Sequence, residues 1–376
     1  MKTYGRTSAH EFLSDFIVFR NIEPQDCRLP GLPNLRDRLR LPERMVPRKT
    51  QPEYAQVIIE ILREARRLDA PRSPIQRVAL IGDTRLNDGT AYANVCRAGG
   101  WPGLAFIGAD RSAPASIEHT ELGGYPVYVA NRWTLLQEFQ QICRDLDFPF
   151  DEGTAVILDL DKTVLGARGR NDAVIDAARV EAVRQTVGNL LGAEFDNALF
   201  QLAYDQLNQP EFHPFTADNQ DYLAYICLML GGGLYDLQAL QAAIREGSLT
   251  SFQQFIDAVD ERVDQLTSDL VRLHRDIRTL VQQGDPTPFK AFRYNEYRST
   301  VERMASLSDE SPVEDMLVHE IVVTQEVREA ALGWRHQGAL LFGLSDKPDE
   351  ASVPLPELAA LGFVPIHRVE AHIVGE

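Results

Sequence analysis

The stretch VILDLDKTVLG, residues 156–166, constrains the fold of this chain more than any other. Its apolar part does not alternate with polar residues, so as a strand it has no face to give to water. Strands of that kind belong in parallel sheets covered by helices on both sides. The run then breaks into Asp159 and Asp161, followed by a threonine and a glycine. RVALIGD (77–83) and GLAFIGAD (103–110) end in the same abrupt way, and YPVYVANRW (125–133) and GALLFGLSDKP (338–348) are further strand candidates.

Helical patterns lie between these runs. PEYAQVIIEILREARRL (52–68) places Tyr54, Val57, Ile58, Ile61, Leu62, Ala65 and Leu68 on one stripe, with Pro52 in the first turn, where a helix tolerates it. GTAYANVCRAGG (89–100) reads as a helix closed by Gly99 and Gly100. Strands alternating with helices imply an α/β fold with a doubly wound, mostly parallel sheet. From about residue 171 to 336 the pattern becomes nearly all helix, as in AVIDAARVEAVRQTVGNLLG and FQQFIDAVDERVDQLTSDLVRLHRDIRTLVQQ. The sheet pattern returns with GALLFGLSDKP and GFVPIHRVEAHIVG. The expectation is one α/β domain, residues 1–163 with 337–376, interrupted by a separate helical domain over 164–336. Within the Pro- and Arg-rich first 48 residues, LPGLPNLRDRLRLPERMVPR reads as irregular connection, and SDFIVFRNI either adds a strand or covers the hinge of the helical domain.

Composition narrows the function classes. In 376 residues, 44% are hydrophobic and 25% charged, the proportions of a soluble globular protein, and no apolar run approaches the roughly 18 residues of a membrane span. A formal net charge of −17 argues against a nucleic-acid partner but leaves room for a small anionic substrate in a local pocket. The start, MKTYGRTSAHEFLSDF, lacks an apolar signal core, and Cys27, Cys96, Cys143 and Cys227 have neither metal-ligand nor disulfide-framework spacing. A reducing cytoplasm is the expected setting.

Ligands of open parallel sheets bind at the carboxyl ends of the strands. Three such ends carry chemistry: LDLDKT at Asp159, LIGDTRLNDG at Asp83 and LFGLSDKP at Ser345. Gathered carboxylates suit a hard cation such as Mg²⁺, and a carboxylate is also a nucleophile toward phosphorus.

These same residues carry a resemblance. ILDLDKT resembles the D-x-D-x-T signature, which includes Thr163, of haloacid dehalogenase (HAD) superfamily phosphatases. LIGDTRLNDGTAYANVCRAGG is similar to that family's acidic motif and LLFGLSDKP to its Ser/Thr motif. RKTQPEYAQVIIEIL resembles its lysine motif, with Lys49 in place and Thr50 where a proline is usual. The family runs nucleophile, Ser/Thr, Lys, acidic pair; here the order is Lys49, Asp83, Asp159, Ser345, so the chain looks like a circular permutant whose termini should lie side by side.

The resemblance implies roles. Asp159 is the nucleophile and a metal ligand, and Asp161 is the general acid and base and a metal ligand through its carbonyl. Ser345 and Lys49 hold the phosphoryl oxygens, and Asp83 and Asp88 complete the sphere of Mg²⁺. Asn87 competes with Asp88 for the second acidic position, because the family uses both spacings. Lys347, assigned to the rim, and Arg48 compete with Lys49. The helical insert follows the nucleophile motif, where many family members carry a cap that chooses the substrate, which implies a small-molecule phosphate ester. In DPTPFKAFRYNEYRST, Lys290, Arg293 and Tyr297 share a helical face, beside Tyr294 and Arg298. They read either as a sensor of a second anionic or hydroxyl-rich group or as a solvated face with aromatic packing. Arg168 and Arg170, in GARGRND, are open to the same pair of readings as gate residues. His274 on a helix and His367 in a strand read as structural. The alternatives are a HAD-type phosphotransferase and a catalytically silent protein that binds a phosphometabolite.

Overall fold

A computed structural model describes residues 1–43 and 45–376. Ten strands run through it: β1 (Lys2–Thr7), β2 (Ile17–Val18), β3 (Arg77–Gly82), β4 (Gly103–Gly108), β5 (Ile117–Leu122), β6 (Tyr125–Ala130), β7 (Thr154–Asp159), β8 (Val323–Thr324), β9 (Leu340–Leu344) and β10 (Ala371–Gly375). Seven form one sheet in the order β2-β9-β7-β3-β4-β6-β5, parallel throughout except for β5, which pairs antiparallel with β6. The expected mostly parallel α/β sheet is therefore present, with β7 in its interior between β9 and β3.

Its inner strands β3, β4, β7 and β9 are buried on both faces, as their unbroken apolar runs require. Val78, Leu80, Ala155, Ile157 and Phe342 share a core with Val57, Ile58, Ile61 and Leu62 of the helix Pro52–Asp69 and with Tyr92 and Val95 of the helix Asp88–Gly99. Val156 and Leu158, which alternate with these along β7, are also fully buried. Phe106 of β4 packs against Trp133 and Phe139, with ring centroids 6.2 Å and 5.5 Å apart.

A second, smaller sheet, β1-β10-β8, ties the two chain ends together. Lys2 pairs with Gly375, and the Tyr4 hydroxyl donates to a Glu376 oxygen at 2.8 Å. The termini are neighbours, as a permuted chain requires.

The chain divides into two compact units, Met1–Ala177 with Thr300–Glu376, and Ala178–Ser299. The second is helical, with a core that includes Val187, Phe200, Tyr204, Leu223, Tyr225, Phe255 and Ile277. Five of its helices start where side-chain oxygens of Asp196, Asn219, Asp236, Ser251 and Thr267 accept backbone N–H groups. This unit is narrower than the insert expected over 164–336. Leu165 bridges Val323, β8 pairs with β10, and Trp334 stacks on Phe150, so the flanks of that range belong to the α/β unit. Helical periodicity identifies an element, not the core against which it packs.

Two local readings are corrected, and the candidate strand in SDFIVFRNI is present. Part of LPGLPNLRDRLRLPERMVPR is a helix, Leu32–Leu39, opened by the Gly31 N–H donating to Asn34 Oδ1 at 3.1 Å; its proline lies in the first turn, which tolerates it. SDFIVFRNI supplies β2, an edge strand beside β9. His367 lies in a short 3₁₀ turn, Ile366–Arg368, and pairs with Asp15 at 3.0 Å. Among the described residues, no helix is long and apolar enough to cross a membrane.

Candidate active site

Parallel register delivers three strand ends to one edge. Asp159, the last residue of β7, pairs with Leu344 of β9, which places Ser345 just beyond it. On the other side Leu158 pairs with Ile81 of β3, so Gly82 and Asp83 leave the sheet beside Asp159. Ligand oxygens of Asp83, Asp88 and Asp159 all lie within 4.8 Å of one another.

Lys49 enters from the loop before the helix Pro52–Asp69. Its Nζ donates to Asp88 Oδ1 and Asp159 Oδ1, each at 2.6 Å, and the side chain is only 4% exposed. Asp159 Oδ2 accepts from the Thr163 hydroxyl at 3.2 Å, so both its carboxylate oxygens are held. Asp88 opens its helix, and its Oδ2 accepts from the Asp83 N–H (3.1 Å), the Thr84 N–H (2.8 Å) and the Thr84 hydroxyl (2.8 Å). Asp88 rather than Asn87 joins the cluster, and Asn87 is exposed. Gly82 permits this packing: a Cβ there would stand 2.6 Å from Asp88 Cβ.

The remaining candidates divide. The Arg168 guanidinium pairs with Asp83 through Nε. Arg170 is buried between Asp110 (2.8 Å) and Glu326 (2.9 Å) and pins the loop instead of gating it. Asp161 stands outside the three-carboxylate cluster, with Lys347 Nζ at 3.7 Å. Lys347 is buried, not on a rim, and its N–H donates to Ser345 Oγ at 3.1 Å. Arg48 is exposed. In the helical unit, Arg293 is buried and paired with Asp221 and Glu296, Lys290 is paired with Asp285 at 2.9 Å, and Tyr297 is buried. The Arg293 charge is thus satisfied within its own unit, which corrects the sensor reading for that residue. Sequence reasoning missed Thr84 as a partner of Asp88; its place directly after Asp83 was the available signal.

The electrostatics are those of crowded anions. Burial pushes the Asp159 carboxyl well above the usual range; Lys49 opposes this, and Asp88 and Asp83 reinforce it. Burial and the Asp88 charge raise Asp83 to about 7 against the pull of Arg168. Asp88 would also rise on burial, but Lys49 and the Thr84 hydrogen bonds hold it below its ordinary value. Burial works to lower Lys49, and Asp159 and Asp88 raise it well above normal. Three buried carboxylates thus share one buried ammonium and one partly exposed guanidinium. An all-oxygen, net-anionic donor set of this kind fits a hard divalent cation.

A pH dependence follows. Asp83 titrates near 7 in the folded protein, against 3.8 when unperturbed, so folding takes up a proton between those values and stability falls as pH rises through that window. Asp349, raised to about 7 by burial, and Asp221, raised to about 6, act in the same direction. His367, lowered by burial, opposes them below 6.5. Without divalent cations the melting temperature should rise as pH is lowered from about 7.5 to 5.5. Mg²⁺ should raise it most at the higher pH; a melting temperature indifferent to Mg²⁺ across this range would contradict the cluster as a cation site.

No family model, curated protein or solved structure matches the chain.

Proposed function

We infer that this chain is a Mg²⁺-dependent phosphatase of HAD type that hydrolyses a small-molecule phosphomonoester through an aspartyl-phosphate on Asp159. The observation that carries this reading is the convergence of Lys49, Asp83, Asp88, Asp159 and Ser345, scattered in sequence, on one edge of a parallel sheet. The neighbouring chain ends, β1 against β10, support the permuted order of the motifs.

Asp83, Asp88 and Asp159 would hold the cation, joined by the Asp161 carbonyl as the resemblance implies. When bound, Mg²⁺ masks the repulsion between an anionic phosphate and an anionic nucleophile. The chain supplies the rest. A carboxylate oxygen of Asp159, fixed by Lys49 and Thr163, forms a bond to phosphorus while the P–O bond to the leaving group breaks, and Asp161 protonates the departing oxygen. Asp161, now a carboxylate, takes a proton from water, whose oxygen bonds to phosphorus while the P–O bond to Asp159 breaks; inorganic phosphate leaves, Asp159 returns as a carboxylate and Asp161 as the protonated acid. Lys49 and Ser345 bind the phosphoryl oxygens while charge redistributes among them.

The test is release of inorganic phosphate from a broad panel of small phosphate esters, with Mg²⁺ and with chelator. Release confined to the Mg²⁺ arm is expected. A folded protein that releases phosphate from no ester, or releases it equally in chelator, overturns the reading.

A further inference from the structure

Among the described residues, two side-chain cations pair with the acidic cluster, and they differ in kind. Lys49 is buried, and its ammonium spans Asp88 and Asp159. Arg168 pairs with Asp83 alone, and its side chain is 36% exposed. Its backbone, by contrast, is tied on both sides: the N–H donates to the Lys162 carbonyl at 2.8 Å, and its carbonyl accepts from the Asp110 N–H at 2.9 Å and from Trp133 Nε1 at 3.2 Å. The next residue, Gly169, has φ +77°, and a Cβ there would fall 1.9 Å from the Asp110 carbonyl oxygen, so only glycine fits. Arg170 clamps the same loop to Asp110 and Glu326. A fixed backbone thus carries a long, flexible, partly solvated cation that can leave Asp83 without moving the loop.

We propose that Arg168 is an internal counter-ion that competes with the divalent cation for Asp83 and thereby sets the concentration at which the site loads. The inference rests on the cation site of the proposed function. Asp83 is the one carboxylate of the three whose ion-pair partner is partly exposed. A cation entering the cluster gains Asp83 as a ligand only when the guanidinium gives it up. The apparent affinity is lowered accordingly, as for any ligand whose site must first lose another occupant.

The experiment is calorimetric titration of the full-length protein with Mg²⁺ alone, with no substrate present. Arg168→Gln removes the competing charge and should bind Mg²⁺ about tenfold more tightly than wild type, since a unit charge at an acidic site carries coupling of that order. Arg168→Lys keeps a cation on a flexible stem and should stay near the wild-type affinity. Equal or weaker binding in Arg168→Gln, with wild type still binding, overturns the proposal and leaves the cation site standing. Binding by neither protein, with both folded by melting temperature, overturns the proposal together with the metal-dependent reading. Tightening in Arg168→Lys as large as in Arg168→Gln also overturns it, because loss of the guanidinium shape and not of the charge would then be the cause.

Discussion

Asp159→Asn should lower Mg²⁺-dependent phosphate release by about 10⁴-fold or more while leaving the protein folded, because the amide is a poor nucleophile of nearly the same size. The substitution also removes one of three carboxylates packed within 4.8 Å. Lys49 keeps its partner Asp88 at 2.6 Å, so the cation-free variant should melt no lower than wild type near pH 7.5. These two readouts separate a lost nucleophile from a lost fold. A well-folded variant that keeps more than about a tenth of wild-type turnover would rule out Asp159 as the attacking group, since removing a nucleophile costs far more than that.

Lys49→Ala should produce the second large effect, and on two quantities at once. Without cation, it leaves Asp88 and Asp159 facing one another in a buried site with no ammonium between them. Breaking a buried ion pair by removing one partner costs about 3–5 kcal/mol. Added Mg²⁺ should recover part of that loss, because binding only to the folded state is worth about 2.7 kcal/mol at a hundred times the dissociation constant. Activity should nevertheless stay about 10²–10³-fold down at saturating Mg²⁺, the usual cost of deleting one donor to the oxygens on which charge develops. Lys347→Ala should cost less, as its ammonium stands 3.7 Å from Asp161, whereas Lys49 bonds Asp159 directly at 2.6 Å. Measured side by side, a greater loss of turnover in Lys347→Ala than in Lys49→Ala would reverse the assignment of the phosphate-binding lysine.

Much of this site is legible in the residues. The runs 77–82, 154–159 and 340–344 are apolar without alternation and end in Asp83, Asp159 and Ser345, and the structure makes each a buried parallel strand of the central sheet. Other features resisted because their signals are local but their causes are not. The candidate strand in SDFIVFRNI shrinks to the two residues of β2, too few for a period to mark its bounds. The helix Leu32–Leu39 sits among prolines that read as breakers. IEHTEL, the outer strand β5, is largely polar, because an edge strand has a face to give to solvent. The segment from Thr300 to His336 is mostly helical and yet belongs to the sheet-bearing unit, since helical period carries no information about which core a stripe will meet.

The sequence by itself determined the α/β class, the strand ends that carry carboxylates and a hydroxyl, and the helical character of the interruption. Burial on both faces and helical spacing leave marks within ten or twenty neighbouring residues. Only the tertiary structure decided that Lys49 stands between Asp88 and Asp159, 110 residues from the latter. It also decided that Asp88 takes the place open to Asn87, that Arg168 holds Asp83, and that Arg293 is committed to Asp221. Those pairings are set by which strand lies beside which and by the space a glycine leaves at Gly82, and through-space neighbours of that kind have no period to read.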